Sequence, residues 1–203
     1  MHSLRKNIEA QIRKNGTGWV FTRKDLRNIA PSAQIGVILC RLEKEGIIRR
    51  IGRGLYDYPE KSDLLNENLP PSPDLAAQAI SRKHRWVIAP DEAMAANILN
   101  LSQQVPAKII YLSTGPTRYF NIGNQMITFR HTAPRNLHME HYSSRIIAQA
   151  LRFLGKGEID SKTLISLRNK LTEKEKTDFL SDVRFGTDWI LDIAEKLIRD
   201  DHE

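Results

Sequence analysis

Apolar positions in the first part of the chain recur with the periods of helix and strand in turn. Leu4, Ile8 and Ile12 fall at four-residue steps in an otherwise polar stretch, which predicts an amphipathic helix from Ser3 to Asn15. Ser3 is its expected N-cap and Asn15-Gly16 its stop. Trp19-Val20-Phe21 is a short apolar run, a strand stub or a core anchor. Thr22-Arg23-Lys24-Asp25 then predicts the opening of a second helix, with the Thr22 hydroxyl as cap and Asp25 in the first turn. Ala30-Pro31-Ser32 breaks that helix and starts a third, capped by Ser32, running to about Glu45 and ended by Gly46. Within it Ile35, Ile38, Leu39 and Leu42 share one face and predict a buried stripe. The opposite face carries Ala33, Gly36, Val37, Cys40, Arg41 and Lys44, with Gln34 at its edge.

From Ile47 to Tyr58 the pattern changes to two short strands around a Gly52-Arg53-Gly54 turn, a compact hairpin. Arg49, Arg50 and Arg53 lie on or beside it, a density of like charge that is costly without a polyanion to receive it. Helix, helix-turn-helix and basic hairpin, in that order, is the layout of a winged helix. Small residues at Ala33 and Gly36 let the third helix approach another surface closely, and Arg41 and Lys44 give it a cationic edge. Such a face suits a DNA major groove. It also suits a dimer seam.

Residues 59–74 are polar and proline-rich, with Pro70-Pro71-Ser72-Pro73 near the end, and read as a semi-rigid spacer. A helix over 75–85, a strand at Trp86-Val87-Ile88-Ala89 and a helix from Pro90-Asp91-Glu92 to about Asn100 follow. Residues 109–112, 118–122 and 126–130 are strand-like, turned by Gly115-Pro116 and Gly123-Asn124, and predict a small antiparallel sheet. Four helices complete the chain, at about 143–154, 161–171, 173–184 and 187–200. The last carries an apolar stripe of Trp189, Ile190, Ile193, Ala194, Leu197 and Ile198, which is either core or a partner-binding face. The expected fold is therefore α+β: a winged helix-turn-helix over 1–58, a linker over 59–74, and a mixed α/β domain over 75–203.

Composition adds little until charge is placed on this map. The 203 residues are 40% apolar and 27% charged, as in a soluble globular protein, and no apolar run approaches a membrane span. The N-terminal residues MHSLRKNIEAQIRK are charged and lack an apolar signal core, so a cytoplasmic location is expected. Net charge is +7. Residues 1–58 contain 12 Lys/Arg against 5 Asp/Glu, so the whole excess lies there, and residues 59–203 balance 19 of each sign. A basic head on a neutral body is the electrostatic footprint of a nucleic-acid-binding module.

Candidate chemistry elsewhere is thin. His131, His138, Glu140 and His141 are the one group with a metal-like spacing, and ordinary surface or packing histidines are the commoner reading. The single cysteine, Cys40, excludes an internal disulfide and cannot by itself make a zinc site. There is neither a phosphate-cradling glycine loop nor a nucleophile elbow. No enzyme activity, metal or cofactor is expected.

Two strings carry a family resemblance. VFTRKDL followed by LCRLEKEGIIRRIGRGLYDYP resembles the winged-helix head of the AbiE-type abortive-infection antitoxins. AANILNLSQQVPAKIIYLSTGPTRYFNIGNQMITFRHTAPR resembles that family's second domain. The resemblance spans roughly residues 18–135, and the pairing of the two blocks makes it specific. It implies the antitoxin of a type IV toxin–antitoxin system, binding inverted repeats in its own promoter to repress transcription. Its C-terminal domain would counteract a nucleotidyltransferase-like toxin. The resemblance places DNA contacts on Arg41, Lys44, Arg49, Arg50 and Arg53, and the residue pattern adds Gln34 and Val37. A stand-alone winged-helix regulator, or a protein-interaction module whose basic head meets an acidic partner, are the alternatives.

Overall fold

A computed structural model describes residues 2–199 apart from 63, 65, 105 and 185. The fold is α+β, with eight α-helices and two small sheets among the described residues. Two compact units divide it: Met1–Trp86 with Tyr119–Ile127, and Val87–Arg118 with Thr128–Glu203.

The first unit opens with α1, His2–Lys14. Ser3 lies inside its first turn, not at the cap. Strand β1, Val20–Phe21, leads into a single 3₁₀ turn, Arg23–Leu26. Thr22 caps that turn as expected: its hydroxyl accepts from the Lys24 N–H at 3.2 Å, and Asp25 accepts from the Thr22 N–H at 2.7 Å. The expected second helix goes no further, because Pro31 disfavours helical backbone at Ala30 and leaves too few residues to propagate one. Helix α2 spans Ser32–Lys44 with Pro31 in the cap position, so Ser32 is its first residue and supplies no cap. Gly46 ends it at φ +71°, a conformation only glycine adopts cheaply. Ile35, Ile38, Leu39 and Leu42 of α2 are buried against Ile8 and Ile12 of α1 and against Phe21.

The hairpin pairs β2, Arg49–Gly52, with β3, Leu55–Asp57, and β1 adds to the far side of β3. Its register sets Arg49 opposite Asp57 and Arg50 opposite Tyr56. Beyond it the proline-rich segment does not extend as a spacer. It doubles back through a Lys61–Asn68 bridge, and the Leu69 N–H donates to the Glu60 carbonyl at 2.7 Å. Helix α3, Pro73–His84, is capped by Ser72 and buries Ala76, Ala77, Ala79 and Ile80. Arg82 on α3 reaches Asp25 at 2.9 Å and the Val20 carbonyl at 3.0 Å. These long-range bonds place α3 with the basic head, so the division between units falls after Trp86 and not within 59–74.

Strands β4, Ile88–Pro90, β5, Ile109–Ser113, β6, Arg118–Ile122, and β7, Gln125–His131, form a sheet in the order β4-β5-β7-β6. Asp91 caps α4, Glu92–Ile98, by accepting from the Met94 N–H at 3.0 Å. Helices α5, Tyr142–Leu154, α6, Ser161–Lys170, α7, Glu173–Val183, and α8, Asp188–Ile198, follow. In α8 Ile190, Ile193, Ala194 and Leu197 are buried in the core of the second unit with Ile147, Leu151 and Phe179, and Trp189 packs partly against it, so the stripe is core except at its end, where Ile198 is exposed. No helix among the described residues is long and apolar enough to cross a membrane.

Candidate nucleic-acid interface

The buried stripe of α2 fixes which residues face outward. Ala33, Val37, Cys40, Arg41 and Lys44 are exposed and Gly36 is half-buried. With Arg23 and Tyr56 they line a concavity of about 490 Å³. Gly36 leaves room for Arg23, whose Nη1 lies 3.1 Å from where a Cβ would stand. Tyr56 packs its ring on Phe21, with centroids 6.0 Å apart, and so ties the hairpin to the core. Val37 is 51% exposed.

The structure separates the three hairpin arginines. Directly opposed residues of an antiparallel pair share a face, so Arg50 lies on the Tyr56 side, where the concavity is. It is exposed. Arg53 is exposed at the hairpin turn. Arg49 lies on the other face: it forks onto the buried Asp57 carboxylate, Nε at 3.1 Å and Nη2 at 2.5 Å, and Nη2 also donates to the Leu69 carbonyl at 2.9 Å. The expectation that Arg49 needs a polyanion is corrected by this partner eight residues on. Gln34 is exposed on the first turn of α2 but does not line the concavity.

Four of the five acids of the head are engaged by other arginines. Arg5 holds Glu9 at 2.6 Å and Glu45 at 2.5 Å, Arg49 holds Asp57, and Arg82 holds Asp25. The Arg5 hydrogen bond holds the Glu45 carboxyl below its ordinary range, with Arg41 adding a smaller attraction. Among the described residues, no carboxylate comes within ion-pair distance of Arg23, Lys24, Arg41, Lys44, Arg50, Arg53 or Lys83. These cations belong to the 3₁₀ turn, α2, the hairpin and α3.

Sequence reasoning missed Arg23, Lys24, Tyr56 and Lys83. The basic pair after Thr22 was a signal for the first two. Nothing local marks Lys83, whose ammonium donates to the Arg53 carbonyl at 3.4 Å. Burial pushes the Lys83 ammonium below its ordinary value, and repulsion from Lys24, Arg53 and Arg23 adds to the shift.

The histidine group does not assemble. His131 Nδ1 donates to the Gly115 carbonyl at 2.9 Å and His138 Nδ1 to the Arg135 carbonyl at 2.8 Å, while His141 Nδ1 meets Asp182 at 3.0 Å. No three His, Cys, Asp or Glu among the described residues are placed to hold a metal ion. Cys40 is an exposed free thiol on the α2 wall.

A family model matches the chain over residues 7–180; its description is a family of unknown function, DUF6088. No curated protein matches the chain.

Proposed function

The chain belongs to the DUF6088 family, and from its own geometry we propose that the first unit is a winged helix-turn-helix that binds duplex DNA. In this reading α2 enters the major groove, with Val37 and Arg41 at base edges and Lys44 nearer the backbone, while Arg50 and Arg53 on the hairpin meet phosphates. One observation carries the proposal. Arg41 and Lys44 of α2 line one concavity with Arg23, and Arg50 and Arg53 of the hairpin are exposed; none of them has a carboxylate partner among the described residues, whereas four of the five acids of the head are bound by Arg5, Arg49 and Arg82. A face left with that charge imbalance is stabilised by a polyanion.

The finer proposal is an autorepressor that also serves as the antitoxin of a type IV system, in the cytoplasm, opposing a nucleotidyltransferase-like toxin. Its support is the two-block resemblance over residues 18–135, and the geometry speaks only to the DNA-binding half.

Fluorescence anisotropy of the full chain tests that half, using a labelled duplex from the region upstream of its own gene and a random duplex over a range of salt. Tighter binding to the upstream duplex is expected, with affinity falling linearly in log–log form as salt rises. Arg41→Ala is expected to cost about 1–3 kcal/mol on the upstream duplex and less on random DNA if it reads a base. Failure of the wild-type chain to retain any duplex at low ionic strength rejects the proposal.

A further inference from the structure

We propose that Lys83, near the C-terminal end of α3, joins Arg23, Lys24 and Arg53 in a clamp for one backbone phosphate of duplex DNA. This contact comes from outside the helix-and-hairpin module. The inference rests on the DNA-binding reading above and extends it to a residue far along the chain.

Two bonds to backbone carbonyls tie Lys24, Lys83 and the hairpin turn together without quenching a charge, and Arg23 and Arg53 lie close enough for their charges to weigh on Lys83. Lys24 Nζ donates to the Lys83 carbonyl at 2.6 Å, and Lys83 Nζ donates to the Arg53 carbonyl at 3.4 Å. Lys83 Nζ also lies 3.6 Å from where a Cβ on Gly54 would stand, so it sits against the hairpin turn. An ammonium carries three N–H donors. Each lysine here uses one on a carbonyl in these bonds, which leaves others for an anion. Asp25, next to Lys24 in the chain, is engaged by Arg82 at 2.9 Å. Among the described residues, none of the four cations has a carboxylate within ion-pair distance.

Arg23 links this cluster to the groove face. It lines the α2 concavity and is one of the charges that weigh on Lys83. A ligand seated on both must be long and carry repeated negative charge, which a duplex backbone does and a single carboxylate does not. Cations from three elements, converging from different directions, also suit the several oxygens of a phosphate.

The test is the salt dependence of duplex binding by the full chain with Lys83→Gln, Lys83→Arg and Lys24→Gln. Loss of one phosphate contact is expected to reduce the log–log slope by about 0.9 in Lys83→Gln, equally on upstream and random duplexes. Lys83→Arg should restore the slope, since it returns the charge. Lys24→Gln should lower the slope similarly and guards against misfolding of the first variant. Unchanged slopes in both Gln variants, with the wild type still binding, overturn the clamp and leave the DNA reading intact. A loss confined to the upstream duplex also overturns it, because every duplex offers backbone phosphates and losing such a contact weakens binding roughly uniformly across sequences. No binding by the wild type removes the DNA reading itself.

Discussion

Arg49 and Arg50 are neighbours in the chain, yet they should respond to the same substitution in opposite ways. The Asp57 side chain is 2% exposed and Arg49 is 33% exposed, so Arg49→Gln strands a buried carboxylate. Removing one partner of a buried ion pair costs about 3–5 kcal/mol. Arg49 is one-third exposed and water can follow it into the site, which argues for the lower end, about 3 kcal/mol. With a urea slope of roughly 2 kcal/mol/M, that moves the unfolding midpoint down by about 1.5 M. Asp57→Asn should cost less, because the orphaned Arg49 can still reach solvent and the Leu69 carbonyl. Arg50→Gln removes no buried partner and should change stability by no more than about 0.5 kcal/mol. In the proposed DNA binding the order should reverse: Arg50→Gln is expected to lower the salt slope by about 0.9, and Arg49→Gln to leave it unchanged while the protein remains folded. Urea titrations and salt-dependent anisotropy on the two variants check both halves. An unmoved midpoint in Arg49→Gln, or a lowered slope, would refute the assignment of Arg49 to the fold.

Gly36→Ala should raise the stability of the head by up to about 1 kcal/mol through helix propensity, yet weaken duplex binding. The new methyl stands 3.1 Å from Arg23 Nη1 and displaces a groove cation; thermal melting and anisotropy on one variant read both effects, and tighter binding would count against Arg23. In the second unit, burial alone would raise the Asp182 carboxyl. Hydrogen bonds from the His141 backbone and ring, at 2.9 and 3.0 Å, prevail and hold it below its ordinary value of 3.8. A carboxyl depressed on folding contributes stability above its unfolded value that is lost as pH falls through the folded one. Asp182→Asn should therefore lower stability at neutral pH and flatten the loss seen below pH 3.8, measured as melting temperature against pH.

Local pattern carried most of the secondary structure. Four-residue spacing set α1 and the buried face of α2, alternation and Gly123-Asn124 set β6 and β7, and Gly52-Arg53-Gly54 set the β2–β3 turn, because each is decided by residues within a few positions. The second helix failed where a neighbouring proline outweighed a good cap. The concentration of charge in residues 1–58 was equally plain from the sequence, as were Val37, Arg41 and Lys44 on the outer face of α2.

What the sequence determined by itself was thus which segments are helix or strand and which face of each is apolar, since periodicity and turn chemistry act over short range. Tertiary structure alone decided which cations are available to a ligand. Arg49 and Arg50 look alike in the chain, but strand register gives one a buried carboxylate and the other the open side of Tyr56. Lys83 reads as a helix-end lysine until α3 packs on the head and sets it against the hairpin turn. Coulombic partners are chosen by distance in space, and spacing along the chain says nothing of that.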